Sequence, residues 1–390
     1  MNKFKYLLSN SKKFHHIDVA KVLYKHEKLV KLVCGSPWFK LKGNKVPKNL
    51  IHSSFFINAL RHFIPQNNKL KFIHNYLNKI NSKNIDYQAS KFINDADVFL
   101  SLSTTGLETG KLIKKQNKIY ICERTSSHIV FQNKILEEEY KNLGLDYMPI
   151  NKWAVERELA EYENSDFILV PSKFVENSFI ENKVFKSKVI NFGSYEGSFF
   201  PIKNFKKRDD EFNVLFAGQL SIRKGLHYLI DGFKKFKHPN KKLHIVGAET
   251  KDKLFFRDLI KKSNNNNIYV YGPVEYKKLN QFFNNAHVSV LPSLEEGLAM
   301  TTLIASSAGC PLIVSENTGA MEYVNSNKCG YVIPIRDSQA ITDKLTLLAD
   351  NNNLLNELSN NSLRFSKNYT WTDYVSKLDN IVEYFDKNKV

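Results

Sequence analysis

Several kinds of segment are missing from this chain of 390 residues. No stretch approaches the 18 or more apolar residues of a membrane-spanning helix, so any membrane association is expected to be peripheral. The opening MNKFKYLLSNSKKFHH holds only a three-residue apolar run, far short of a secretory signal, and a cytoplasmic protein is expected. The four cysteines, Cys34, Cys122, Cys310 and Cys329, form no CxxC spacing and have no paired histidines nearby. They read as reduced structural thiols, which supports neither a zinc site nor a disulfide framework. There is no Walker A loop, no G-x-S-x-G elbow and no HExxH motif.

Acidic residues are scarce in one region only. The formal net charge is +18, and residues 1–120 hold 22 basic against 6 acidic residues, a net of +16, while residues 121–390 hold 35 against 33. A basic face attracts nucleic acid, an anionic membrane surface or an acidic substrate. The lysines of the first third are interleaved with apolar stretches such as KYLL, LVKLVCG and IHSSFFINAL, and no block of 5 to 8 Lys and Arg occurs. This is the pattern of a charged face on a folded domain, and no nucleic-acid partner is expected. With 42% apolar and 13% aromatic residues the chain can bury ordinary cores, and its length suits two or three domains.

Five short β-rich runs, FNVLFAG (212–218), KLHIVG (242–247), NIYVYG (267–272), HVSVLPS (287–293) and PLIVS (311–315), alternate with segments long enough for helices. That alternation predicts an α/β fold with a parallel, doubly wound sheet. Leu226, Leu229, Ile230 and Phe233 fall at i, i+3, i+4 and i+7 and predict a helix packed on it. In the first half FKYLL, LVKLVCG, DVFLSLS, KIYICE and DFILVPS are strand candidates of the same kind. The expected division is a first Rossmann-like domain over 1–195, a linker over 196–210, a second over 211–370, and a C-terminal helix over 371–390. In that helix Trp371, Val375, Leu378 and Val382 share one face behind a Thr370/Asp373 capping box. Two such domains place a ligand cleft between the carboxyl ends of their sheets.

Three constellations carry chemistry. In AGQLSIRKGLHYL (217–229) a strand ends at Gly218, Gln219 follows, and Arg223 and Lys224 stand before a helix opened by Gly225. A planar guanidinium, an ammonium and a helix dipole suit a diphosphate, although a solvated Arg-Lys pair is the plain alternative. In LPSLEEGLAMTTLIASSAGCP (291–311) Glu295, Glu296 and Gly297 precede a helix expected from about Ala299 to Ser307. The N–H groups of Leu298, Ala299 and Met300 can meet an anion, and Glu296 suits sugar hydroxyls; an acidic residue at an ordinary helix start is the competing reading. In CERTSSHIVFQNKILEEEYKNLG (122–144) Ser126 or Ser127 is expected to cap a helix, with Arg124 before it and His128 facing the cleft, where it can orient a hydroxyl or make a structural hydrogen bond. His15 and His16, at the start of the first helix, pose the same choice. DAD at 95–97 reads as a turn before a strand, and Glu137, Glu138 and Glu139 point in different directions on a helix and form no pocket.

The order GQLSIRKG, LPSLEEGLAM…SSAGCPLIVSENTGAMEYV and GYVIPIRDSQAITDKL, with CERTSSHI, EEEYKNLG and RELAEYENSDFILVPSKFVENSFI before it, resembles family 4 of the nucleotide-sugar glycosyltransferases, retaining enzymes of the GT-B fold. The resemblance covers most of residues 95–385. It implies a sugar nucleotide on the second domain and a glycan or glycolipid acceptor on the first, with no essential metal. Arg223 and Lys224 match the family's diphosphate-binding residues, Glu296 matches the first Glu of its E-x7-E motif, and His128 resembles its cleft histidine. His15, His16, Arg124 and Ser127 are placed on the acceptor side. Two positions depart from the pattern: Ile304 stands where the second, ribose-binding Glu is usual, and Gln219 where an Arg is usual. Another GT-B sugar-nucleotide enzyme such as an epimerase, and a polyanion-binding protein, are the competing classes. The charge of the first third points to anionic lipid headgroups or a phosphate-linked glycolipid, hence to the inner face of a membrane.

Overall fold

The computed structural model describes residues 4–12, 14–41, 45–64, 70–193, 200–202, 210–263, 266–366 and 369–388. Most of the expected linker, and the first two residues of the Asn run at 264–267, lie outside the described residues.

Thirteen described strands form two sheets. The first takes β1 (Tyr6–Asn10), β2 (Leu29–Cys34), β3 (Ile51–Ser53), β4 (Val98–Leu102), β5 (Ile119–Glu123), β6 (Phe167–Val170) and β7 (Ser187–Val189), in the order β3-β2-β1-β4-β5-β6-β7. The second takes β8 (Phe212–Ala217), β9 (Lys241–Val246), β10 (Ile268–Gly272), β11 (Val288–Leu291), β12 (Leu312–Ser315) and β13 (Gly330–Ile333), in the order β10-β9-β8-β11-β12-β13. Every ladder is parallel, so helices must cross over both faces, and β1, β4, β5, β6, β8, β11 and β12 are buried along their whole length. Two Rossmann-like domains result, as the alternation of runs predicts.

Strand order reverses between β1 and β4 in one sheet and between β8 and β11 in the other. At such a reversal the flanking crossovers leave on opposite faces and a crevice opens beyond the strand ends. The loops that follow β8 and β11 are the two that hold Arg223, Lys224, Glu295 and Glu296.

The expected apolar stripe of the helix Leu226–Lys235 is fully buried at Leu226, Leu229, Ile230 and Phe233. The final helix, Trp371–Lys387, starts where Thr370 Oγ1 accepts from the Asp373 N–H at 3.0 Å. It packs back on the first domain, against the helix His16–Lys25. Trp371, Val375, Leu378 and Val382 are buried there, each contributing roughly 1.5–3 kcal/mol. Lys28 Nζ and the Tyr6 hydroxyl both reach Asp379, at 2.7 Å each. Asp97 of the DAD segment accepts the Lys5 N–H at 2.8 Å, the turn role the sequence suggests.

Candidate functional site

The second domain builds its crevice from two loops that hold each other. After β8 the chain passes an exposed Gln219, makes a short turn over Ile222–Lys224, and enters the next helix through Gly225 at φ +66°. A Cβ there would lie 1.8 Å from the Pro292 carbonyl oxygen, so only glycine lets this loop meet the one after β11. The Leu294 N–H then donates to the Arg223 carbonyl at 2.9 Å. The Arg223 guanidinium donates to the Glu295 carbonyl at 3.0 Å and lies 3.0 Å from the Glu296 carboxylate, which the Lys224 ammonium also grips.

These charges are almost dry. Lys224 is 8% exposed, Glu296 9% and Glu295 0%. Burial lowers the Lys224 ammonium, and the Arg223 guanidinium beside it adds to that against the pull of Glu296. Burial alone would raise the Glu296 carboxyl, but Lys224 and Arg223 outweigh it and hold the group below the usual carboxylate range. Two cations thus face two carboxylates, and any anion that enters must compete with Glu296 for them.

Glu295 closes the cleft. Its carboxylate accepts the Ser127 N–H at 2.7 Å and the Gln132 amide at 2.8 Å, both from the first domain, and lies 3.3 Å from Arg223. Gly297 makes the second crossing. A Cβ on it would lie 1.9 Å from the Thr125 carbonyl oxygen, and its own carbonyl accepts from the Ser172 hydroxyl at 2.8 Å. Leu298 and Ala299 are buried, and the helix begins at Met300, running to Ser307. The N–H groups of Leu298, Ala299 and Met300 make no backbone hydrogen bond among the described residues, as the first donors of a helix do not. Ile304 is 2% exposed within the core and offers a hydroxyl nothing.

The acceptor-side expectations need correction. His128, and neither Ser126 nor Ser127, caps the helix Ile129–Asn142: its Nδ1 accepts the Val130 N–H at 3.3 Å. Its ring packs on Tyr162 and Phe179 with centroids 5.2 and 5.0 Å away, and its buried Nε2 has no partner among the described residues. Burial and the nearby Arg124 push its pKa down to about 4, so the ring is neutral at ordinary pH. Arg124 is spent on the Ser127 carbonyl, Glu158 and Gln132, at 3.1, 2.9 and 2.9 Å. Ser127 contributes its N–H to Glu295, while its buried hydroxyl has no partner among the described residues. His15 and His16 both turn to Glu123, at 2.9 and 2.5 Å, where the Tyr374 hydroxyl also donates at 2.7 Å and Trp371 stacks on His15. They fasten the C-terminal helix. His15, His16 and Glu123 are the one group of possible metal ligands among the described residues, and their atoms already satisfy one another.

Four site residues escape a reading of sequence alone. Asn10 ends β1 at the first domain's strand reversal, fully buried, with neither amide atom partnered among the described residues. Across the reversal, Thr104 after β4 adopts φ +77°, a strained state for a β-branched residue, with its N–H held by Glu161. Gln132 ties Arg124 to Glu295. Glu139 is completely buried against the second domain, accepting from His227 at 2.8 Å, Tyr228 at 2.7 Å and Arg336 at 2.7 Å. Asn10 and Thr104 had a possible signal in their position after predicted strands; Gln132 and Glu139 had none.

Comparison with known proteins agrees with this arrangement. Residues 200–365 match the family model of the glycosyl transferases group 1. Over 213 residues the chain is 27% identical to the capsular polysaccharide biosynthesis glycosyltransferase CapM of Staphylococcus aureus, covering 49% of this chain and 54% of that protein. It thus spans about half the length of that relative. A sucrose-phosphate synthase from Thermosynechococcus elongatus superposes with TM-score 0.74 at 15% identity, covering 99% of this chain and 100% of the other. Anabaena HepE in complex with UDP-glucose does so with TM-score 0.71 at 14% identity, covering 98% and 100%. These likenesses establish the GT-B fold.

Proposed function

We infer that this chain, whose residues 200–365 match the family model of the glycosyl transferases group 1, is a retaining transferase that moves a sugar from a nucleoside diphosphate to a hydroxyl of a glycan or glycolipid, in the making of a cell-surface polysaccharide. The observation that carries this reading is the cluster of buried Lys224, Glu295 and Glu296 with the partly exposed Arg223 at the β8/β11 reversal. A donor diphosphate that takes Arg223 and Lys224 as its partners releases the Glu296 carboxylate, which then accepts hydrogen bonds from sugar hydroxyls. In the exchange the two cations pair with the diphosphate and the freed carboxylate is hydrogen-bonded by neutral hydroxyls, so no buried charged group is left without a polar partner.

In the transfer step the acceptor oxygen bonds to the anomeric carbon on the face the diphosphate leaves, the carbon–oxygen bond to phosphate breaks, and the acceptor proton passes to the departing phosphate oxygen. Arg223, Lys224 and the free N–H groups of residues 298–300 stabilise the charge that develops there. The Glu295 and Gly297 crossings keep water out. Arg223 and Lys224 supply positive charge beside the leaving group, and on this reading transfer needs no divalent metal. A cytoplasmic location, peripheral on the inner face of a membrane, belongs to this reading. No helix among the described residues is long and apolar enough to cross a membrane.

The test is a thermal-shift panel of UDP, GDP, ADP and CDP and their sugars, followed by transfer assays with the donor that binds. One nucleoside diphosphate should raise the melting temperature, because a ligand that binds only the folded state stabilises it. Sugar release should require an acceptor and persist in excess EDTA. Conversion of the donor without acceptor would make the protein an epimerase, and abolition by EDTA would overturn the metal-free chemistry.

A further inference from the structure

Residues 28–85 contain 11 Lys and Arg and not one Asp or Glu. Two consecutive helices in this stretch, Phe56–His62 and Lys71–Ser90, pack on each other. On the first, Phe56, Leu60 and Phe63 stand at i, i+4 and i+7 and are 75%, 57% and 84% exposed. On the second, Phe72, Tyr76, Lys83 and Tyr87 stand at i, i+4, i+11 and i+15, which at 100° per residue is a single stripe, and all four are exposed.

This polarity is the reverse of an ordinary surface helix. The inner face of the second helix is Asn81, Ser82, Ile85, Asp86 and Ala89, while its large aromatic rings point to solvent. Exposed apolar residues scattered singly need no explanation, but two aligned stripes on adjoining helices are a patch of the kind that meets a partner. The sole acid on either helix, Asp86, is buried against Arg157 and the N–H groups of Glu108 and Thr109, so nothing acidic on these helices offsets the cations. Arg61 is half-buried, and the Lys12 ammonium is lowered by burial and by the Arg61 charge beside it.

The patch is also placed at the cleft. The Asn58 amide donates to the Ser11 and Gly35 carbonyls at 2.9 and 2.6 Å, which pins the first helix to the chain just beyond β1 and β2. Gly35 permits the contact, since a Cβ would lie 2.3 Å from the Ser11 oxygen. The strand ends that Asn58 grips are those beside the first domain's crevice.

We propose that the outer face of these two helices docks on an anionic lipid bilayer, with Phe56, Leu60, Phe63, Phe72 and Tyr76 in the boundary between headgroups and acyl chains and the surrounding cations on lipid phosphates. Reversible attachment to a bilayer needs an apolar face together with basic charge, and both are present on one surface. The cations of this stretch come without an acidic residue, and Leu60 and two phenylalanines lead the exposed patch, which favours a lipid surface over a nucleic acid or a protein. The inference goes beyond the transfer reading and does not depend on it, because attachment is measured without donor or acceptor. It places the acceptor cleft at the membrane.

Sedimentation with vesicles of phosphatidylcholine, alone or mixed with phosphatidylglycerol, tests the proposal. The full chain should bind the mixed vesicles at least about tenfold more tightly than the neutral ones and be released by added salt. The triple variant Phe56→Ser, Leu60→Ser, Phe63→Ser should lose at least about tenfold in binding with an unchanged melting temperature, because all three side chains are already in water. Lys83→Glu, a single exposed change, should weaken binding to mixed vesicles only, and carries the test should the triple variant fold poorly. Equal binding to both vesicle types, full binding by both variants, or tighter binding to generic DNA or RNA than to mixed vesicles would each overturn it.

Discussion

Replacing Arg223 and Lys224 together by alanine is expected to lower turnover at least about 100-fold, roughly 3 kcal/mol of transition-state stabilisation. Both side chains converge on one point at the β8/β11 reversal, and both are attached to short segments fixed by Gly225 and by the Leu294 to Arg223 backbone bond. Neither cation has another acidic partner within this cluster beyond Glu295 and Glu296, so a departing diphosphate would find its counter-charge here. The substitution also strands the buried Glu296 carboxylate, and some loss of melting temperature is expected with it. Rates therefore need to be compared well below the variant's melting point, after circular dichroism has shown a folded chain. Near-normal transfer by that folded double variant would end the mechanism.

The second large effect concerns how the two domains are held. Glu139→Ala is expected to cost about 3–5 kcal/mol of domain docking, because it leaves the His227, Tyr228 and Arg336 donors without their shared acceptor. Calorimetry should show the melting of the variant broadened or split relative to that of the native chain, as the two domains become less coupled. The Tyr140 hydroxyl still donates to Asp252 at 2.6 Å across the seam, and Ser127 and Gln132 still bond Glu295, so the seam is loosened and not abolished. The same contact sets an acid limit. Burial would raise the Glu139 carboxyl, but the bonds from His227, Arg336 and Tyr228 reverse this and hold it at about 2. A depressed carboxyl contributes stability that is complete above the ordinary carboxylate range and is lost as pH falls toward 2. Docking should therefore weaken through that window in the native chain, and a Glu139→Gln variant should show a flatter acid profile. A single unchanged transition in Glu139→Ala would mean that the remaining seam contacts couple the domains fully without Glu139.

What the sequence makes legible follows from the range of the interactions involved. Runs such as FNVLFAG and DFILVPS are apolar throughout because their strands are covered on both faces, and period and composition reveal them directly. β3, β7 and β13 escape because they are short and lie at sheet edges, only partly buried, where no apolar run is needed. The two loops of the second domain's crevice are legible since Gly218, Arg223, Lys224 and Glu296 lie in two compact segments beside predicted strand ends. Glu139 and Gln132 are not, because each is defined by partners at least 88 residues or more away across the domain seam, and nothing in a helix marks which glutamate will be covered. His128 shows how a strand-to-helix junction leaves both readings open: its Nδ1 makes the structural bond, capping the helix, while its Nε2 has no partner among the described residues.

The central claim is that Glu296 and the donor diphosphate compete for the same two cations. Calorimetric titration of the preferred nucleoside diphosphate, without its sugar, into the native protein and into Glu296→Gln tests this most directly. Removing the competing charge should tighten binding of the bare diphosphate, while transfer from the full sugar nucleotide falls because a sugar-hydroxyl partner is lost. Binding that is unchanged or weaker in Glu296→Gln would contradict the exchange on which the account rests.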